Sequence, residues 1–580
     1  MPSEKTARKT ILSVLQKETQ RLLTVFSFWG LLMASLFFAA SLTPSLLPRH
    51  YAVQGILSGM ALAVGYGVGV FLVWVWHYME LPVFGDRVQR TSQGLTAAFV
   101  AVVMISFLWQ TTEWTNSVRR LMEMEPVDTA YPWRIGAVAI LVGVAIIMAM
   151  RGLRFCWRYV NRKMATIIPR RIAHVLSTLL IGFAVLVIAN DVIARFALNT
   201  ADSIFLEIDK RVEDDTRQPA DPNASGSDAS LIAWDTIGIQ GKRFITSGPN
   251  QEELGRFWGQ PAKQPLRVYV GMRTKQSMEQ QAELALEELK RVGGFSRSVL
   301  VVATPTGTGW LDPGAVDTLE YLHAGDTAIV SMQYSYLPSW ITILIDPQRS
   351  RQAARTLFHV IYSHWRTLPR DDRPRLYLHG LSLGSLGSES SADLFTIFED
   401  PIHGGVLSGP PFPSRVWSRI TSARNPDSSM WLPEFRDGSM VRFTNQTNTL
   451  DRGDQRWGPM RFVYLQYASD PMIFFSTDLL YRRPDWLQGQ RGPDVSPYLR
   501  WYPIILFLQT AFDLPMATSV PLGYGHNYSP ANYLEAWSAV TDPAGWTEQD
   551  TKRLKQQLAD DREPESADPA NASVPTIRLD

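Results

Sequence analysis

The run "YLHGLSLGSLGSE" at residues 377–389 sets Ser382 between Gly380 and Gly384. A Gly-x-Ser-x-Gly match arises by chance roughly 0.2 times in a chain of this length, so its surroundings decide its meaning. Ser382 follows a β-rich run of Leu376, Tyr377 and Leu378 and precedes the small residues Gly384, Ser385, Gly387 and Ser388. Small residues suit a sharp strand-to-helix turn, which brings the two backbones close together. The chemistry such a turn serves is nucleophilic attack by the serine hydroxyl. A hydroxyl is a weak nucleophile until a base takes its proton, and an imidazole suits that task at neutral pH. A carboxylate then holds the ring in the required tautomer and stabilises the imidazolium.

On a turn of this kind the partners follow in the order serine, acid, histidine. Downstream of Ser382 lie only His403 and His526. His403 immediately precedes a strand pattern and reads as structural. His526, in the glycine-flanked loop "PLGYGHNYS", is the expected base. For the acid, "LQYASDPMIF" places Asp470 just after a strong strand, at the edge where sites gather in open α/β sheets. The competing assignment is a turn or helix-cap aspartate, since Asp-Pro is a common turn pair; Asp454 and Asp478 are weaker substitutes. Donors for a developing oxyanion are expected from the backbone N–H of Leu383 and from Thr306 or Gly307 in "LVVATPTGTGW". That glycine-rich loop can also cradle a phosphate, but no Walker lysine or dinucleotide fingerprint accompanies it. No His/Asp/Glu cluster has metal-ligand spacing, and no cofactor is expected.

The elements that must position these groups are legible as an alternation. Strand patterns occur at 266–271, 298–304, 327–335, 375–380, 404–409 and 461–469, with helical patterns at 277–292, 313–324, 348–368 and 383–398. This predicts a mostly parallel α/β sheet with helices on both faces, spanning residues 231–548. Two insertions, about 411–460 and 472–522, carry Trp417, Trp431 and Trp457, and Trp486, Tyr498 and Trp501. The run 428–448 reads as a lid or binding loop. The apolar run "YPIILFLQTAFDLP" (502–515) fits an acyl pocket, a membrane contact or a buried core helix equally well.

The first two hundred residues differ in kind. Apolar stretches at 22–47, 53–76, 94–109, 133–150 and 172–189 predict about five membrane spans, with Asp191 and Arg195 at an edge. Gly55, Gly59, Gly65 and Gly69 have small-xxx-small spacing, which lets helices approach closely. Basic residues collect in the N-terminal arm (Lys5, Arg8, Lys9, Lys17, Arg21), at Arg87 and Arg90, and from Arg151 to Arg171. The resulting expectation is a cytoplasmic N-terminus, an uncleaved first anchor and an extracytoplasmic domain after the last span. The domain plan is thus an arm (1–21), a transmembrane domain (22–200), a linker (201–230), the α/β domain (231–548) and a disordered tail (549–580). A net charge of +1 over 580 residues argues against a nucleic-acid partner, and Cys156, the only cysteine, excludes an intramolecular disulfide.

The stretches "SLTPSLLPR" (41–49), "TPTGTGWLDP" (304–313), "QYSYLPSW" (333–340), "LSLGSLGSE" (381–389), "SDP" (469–471) and "GYGHNY" (523–528) resemble a bacterial family of membrane-anchored α/β-hydrolases. Members have an N-terminal multi-span domain and a C-terminal catalytic domain, and the resemblance covers about residues 25–545. It implies an α/β-hydrolase fold, a serine nucleophile at Ser382, and Asp470 and His526 in the other triad places, but no particular substrate. The expectation is a serine hydrolase or acyltransferase of the bacterial inner membrane, acting on an ester of a lipid or lipid-linked substrate. A serine peptidase and a non-catalytic sensor coupled to the membrane domain are the alternatives. Nothing in the chain indicates an oligomeric state.

Overall fold

A computed structural model of the chain describes residues 26–82, 86–188, 205–207, 209, 216–391, 397–451 and 456–560. The basic arm, Asp191, Arg195, Asp454, residues 210–215 of the expected linker and the tail beyond residue 560 lie outside the described residues. The chain divides into two compact units. One comprises Met1–Val192, Phe475–Leu487 and Pro493–Met516; the other comprises Ile193–Phe474, Gln488–Gly492 and Ala517–Asp580.

The first unit is helical: α1 (Phe28–Ser41), α2 (Tyr51–Tyr78), α3 (Asp86–Leu121), α4 (Pro132–Met164) and α5 (Arg170–Val187). Among the described residues, four helices, α2 to α5, are long and apolar enough to cross a bilayer. The expected first span is cut short. Its helix has 14 residues, about 21 Å at 1.5 Å per residue, against a hydrocarbon core of ~30 Å. Pro44 and Pro48 explain the stop, because neither supplies the N–H that a continuing helix requires. Four glycines of α2 are contacts rather than lipid-facing gaps. A Cβ at Gly55 or Gly59 would lie 2.6 or 2.7 Å from Val138 or Val142 of α4, and one at Gly65 or Gly69 would lie 2.6 or 2.5 Å from the α1 carbonyls of Met33 or Trp29. One helix thus offers small-residue faces to two neighbours. The apolar run at 502–515 also belongs to this unit. Its helix, Ile505–Asp513, buries Ile505, Leu506, Gln509, Thr510 and Asp513 and packs against α1 and α2.

The second unit is built on seven parallel strands: β1 (Leu266–Val270), β2 (Val299–Thr304), β3 (Thr327–Met332), β4 (Arg375–Leu381), β5 (Gly404–Ser408), β6 (Val441–Thr444) and β7 (Arg461–Leu465). Their order across the sheet is β1-β3-β2-β4-β5-β7-β6. The central strands are buried along their whole length, as sheets covered on both faces require, which is why they read as continuous apolar runs. Helices α6 (Met278–Arg291), α7 (Pro313–Leu322), α8 (Pro347–Trp365), α9 (Leu383–Ser391) and α10 (Pro530–Thr541) cover them. Right-handed crossovers put α6, α8 and α9 on one face and α7 on the other, where it packs with α10. The connection leaving β2 runs to β3 on one side, whereas β4 lies on its other side, so the crevice at the carboxyl ends of β2 and β4 is the switch point of the sheet. Three expectations change. Residues 549–560, expected as part of a disordered tail, lie in the helix Glu548–Asp560. The run read as a lid contributes β6, an edge strand whose Val441 aligns with Phe462 of β7. The described end of the linker lies on α6, with Ser230 Oγ donating to Glu288 at 2.7 Å and Arg291 to the carbonyl of Pro222 at 2.6 Å.

Glu389, the acid that ends the "LSLGSLGSE" run, ties α9 to the helix Arg415–Ser422. Its carboxyl accepts the N–H groups of Val416 (3.3 Å) and Trp417 (3.0 Å) and the Tyr464 hydroxyl (3.3 Å), satisfying first-turn donors that have no intrahelical acceptor. Burial outweighs these donors and lifts its pKa from 4.5 to about 7. Between those values the folded state holds a proton that the unfolded state has released, so stability falls as pH rises through that window. Unfolding of the detergent-solubilised protein should show the wild type losing on the order of 3 kcal/mol relative to Glu389→Gln from below pH 4.5 to above pH 7. Parallel pH profiles for the two proteins would remove Glu389 as the cause.

Candidate active site

Ser382 sits between the last residue of β4 and the first of α9. Its φ is +58°, a left-handed backbone that side-chain-bearing residues adopt at a cost of about 1–3 kcal/mol. Two glycines make the turn possible. A Cβ at Gly380 would meet the Gly384 carbonyl carbon at 2.2 Å, and one at Gly384 would meet the Thr304 carbonyl oxygen at 2.1 Å. The Ser382 N–H donates to the carbonyl of Ser408, the last residue of β5, at 3.0 Å. Behind the turn, Ser388 Oγ donates to the His379 carbonyl at 2.7 Å, fastening α9 to β4.

Asp470 lies five residues beyond β7 and is fully buried. Oδ1 accepts the Met472 N–H at 2.8 Å, so the helix-cap role weighed for this residue is present. Oδ2 accepts from His526 Nδ1 at 2.6 Å and from the Tyr528 hydroxyl at 2.7 Å. One carboxylate therefore serves both as cap and as acid partner. A carboxylate at Nδ1 selects the tautomer that carries its proton there, leaving the Nε2 lone pair for another donor. The His526 backbone is anchored by its N–H to Ala517 O at 2.7 Å, and Gly525 N–H donates to Ser469 Oγ at 2.9 Å, next to the acid.

Ser382 and His526 meet at the end of β5. Ser408 holds the serine backbone, while a Cβ on the next residue, Gly409, would come within 2.5 Å of His526 Cε1. Ser382 Oγ and His526 Nε2 are both buried and neither makes a hydrogen bond among the described residues. Asp470 and His526 are thus joined, and the Ser382 turn shares the end of β5 with them.

The expected oxyanion donors differ among themselves. Leu383 N–H heads α9, where first-turn donors have no intrahelical acceptor. The β2 loop lies beside it, since Thr304 pairs with Gly380. Within that loop Thr306 N–H is committed to Trp310 O at 2.9 Å, which closes the glycine-rich turn and removes this donor. Gly307 N–H donates to Ser339 Oγ at 3.0 Å, a side-chain hydroxyl that rotation can withdraw. Of the weaker acids, Asp478 is exposed and accepts from Tyr481 at 2.9 Å. His403 is structural: its Nδ1 accepts the Leu376 N–H at 3.1 Å at the start of the sheet, and burial lowers its pKa to about 4. Trp417 and Trp431 are buried anchors, donating to Gln466 Oε1 (2.7 Å) and Gln490 O (3.0 Å), not an exposed acyl entrance.

Sequence reasoning missed Tyr528. Burial first, and the Asp470 carboxylate second, push its hydroxyl far above the ordinary tyrosine range, so it remains a donor. Its ring stacks on Tyr467, centroids 4.5 Å apart. The only hint was an aromatic two residues after a histidine in a glycine loop.

A parallel sheet of this order with its serine on a left-handed strand-to-helix turn defines an α/β-hydrolase domain. Residues 266–554 match the Alpha/beta-hydrolase family, and residues 42–249 match the Alpha/beta-hydrolase family N-terminus. Together these matches cover most of the chain, which belongs to that family. Comparisons with curated proteins and with solved structures returned no match. Because Tyr528 is one of three donors to a buried carboxylate, Tyr528→Phe should lower unfolding stability by about 2 kcal/mol. An unchanged denaturation midpoint would show that the carboxylate does not depend on this donor.

Proposed function

We propose that this protein is a membrane-anchored serine hydrolase or transacylase that works through an acyl-enzyme at Ser382. The observation that carries the reading is the buried Asp470–His526 pair, 2.6 Å from oxygen to nitrogen, at the strand edge that also holds the Ser382 turn. In the reaction Ser382 Oγ attacks an ester carbonyl and its proton passes to His526 Nε2. Asp470 stabilises the imidazolium through Nδ1. The oxyanion accepts from Leu383 N–H and, once Ser339 Oγ rotates away, from Gly307 N–H. Collapse expels the alcohol, which leaves with the proton from His526. Water or a second alcohol then attacks the acyl-enzyme by the same route in reverse, giving hydrolysis or acyl transfer.

An ester of a lipid or lipid-linked substrate suits the surroundings. Among the described residues four helices are apolar enough to lie in a bilayer, and the helix that follows the Gly307 contact, Ser339–Ile345, exposes Trp340, Leu344 and Ile345. The basic residues between Arg151 and Arg171 favour the cytoplasmic side of a bacterial inner membrane. In this reading α5 crosses once after that basic stretch and the catalytic domain is extracytoplasmic, whether or not α1 spans.

A fluorophosphonate probe should label the detergent-solubilised wild type and leave Ser382→Ala unlabelled. Labelling that persists in Ser382→Ala would identify another nucleophile, and a folded wild type that takes no label would favour a non-catalytic module.

A further inference from the structure

The "SLTPSLLPR" run has no part in the triad, yet it forms a buried polar cluster within the helical unit. After α1 ends, residues 42–50 leave the helix and wrap the start of α2. From there Arg49 reaches the Ile505–Asp513 helix. Its Nε donates to Asp513 Oδ1 at 2.9 Å and its Nη2 to the Gln509 carbonyl at 3.0 Å. Its Nη1 donates to Gln54 Oε1 at 2.9 Å. Leu46 N–H donates to the other Asp513 oxygen at 3.3 Å, and Gln509 Nε2 donates to the Thr43 carbonyl at 2.6 Å. The side chains of Arg49 and Asp513 are 4% and 0% exposed, so the pair is desolvated and held by directed bonds. A second tie, between Ser117 and Ser496 at 2.7 Å, holds the same insertion.

This insertion is the stretch of chain that leads from Asp470 to His526. After Asp513 comes one tight turn, Leu514–Met516, and then Ala517, whose carbonyl accepts the backbone N–H of His526 at 2.7 Å. We infer, on the serine-hydrolase reading proposed above, that Arg49 and Asp513 are positioning residues for His526. The clasp fixes the chain four residues before Ala517, and Ala517 fixes the histidine.

The test compares full-length wild type with Arg49→Gln, Asp513→Asn and Arg49→Lys in detergent. It reads both the rate and the final extent of fluorophosphonate labelling at Ser382, with hydrogen exchange in residues 517–527. Misplacing a general base by an ångström costs about 100-fold, so Arg49→Gln and Asp513→Asn should label about 10- to 100-fold more slowly with full final extent. Arg49→Lys keeps the charge but not the fork and should fall between them and the wild type. Exchange in 517–527 should quicken in both slow variants. Rates within about twofold of wild type, or a reduced extent at an unchanged rate, would overturn the inference, the latter because it reports misfolding alone. A wild type that takes no label would instead fail the hydrolase reading. Unaltered exchange in 517–527 would even then show that the clasp does not govern the histidine loop.

Discussion

The left-handed backbone at Ser382 is the constraint on which the candidate site depends. A serine at φ +58° relaxes to an ordinary turn unless its surroundings forbid it. Here the prohibition is distributed. Gly380 and Gly384 remove the atoms that would collide, Ser408 takes the serine N–H, and Ser388 binds the helix back to β4. Gly387 lets α9 settle on α8, where a Cβ would stand 2.8 Å from Ser350 Oγ. The small residues after the nucleophile are thus a packing requirement over two helical turns. The sheet supplies the rest, because β2 and β5 flank β4 and bring the glycine-rich loop and the histidine contact to either side of the turn.

The two halves of the site are satisfied unequally. Asp470 receives three donors, and burying a carboxylate without such partners would cost several kcal/mol. Ser382 Oγ and His526 Nε2, a donor and an acceptor buried at the same strand edge, make no hydrogen bond among the described residues. Polar atoms left unpaired in a protein interior are uncommon. The Asp470 side is a finished network; in the proposed reading, the Ser382 side is where the reacting group of a substrate would bind.

Much of this was legible in the sequence because its signals are local. Ser382, Asp470 and His526 each follow a strand or sit in a glycine loop, and six of the seven strands match the strand patterns read from the sequence. The missed strand, β6, is four residues long with Arg442 inside it, and takes its identity from pairing with β7 rather than from its own composition. Among the described residues the helix of the first expected span stops at Ser41, because the backbone cannot continue through Pro44 although hydropathy sums across it. Tyr528 and the Arg49–Asp513 pair were invisible for a different reason: each contact joins residues far apart in the chain, and nothing in either local pattern names its partner. The loss of Thr306 as a donor is of the same kind, decided by one turn bond to Trp310.

The Arg49–Asp513 contact spans 464 positions of the chain. At the usual pace of translation, 5–20 residues per second, the aspartate leaves the ribosome on the order of a minute after the arginine. Throughout that interval α1 and α2 exist without the helix that covers their polar cluster, while every strand of the sheet is made. The helical unit is therefore begun first and finished late, and during biosynthesis a guanidinium destined for burial must stay hydrated or sheltered until its counter-charge arrives.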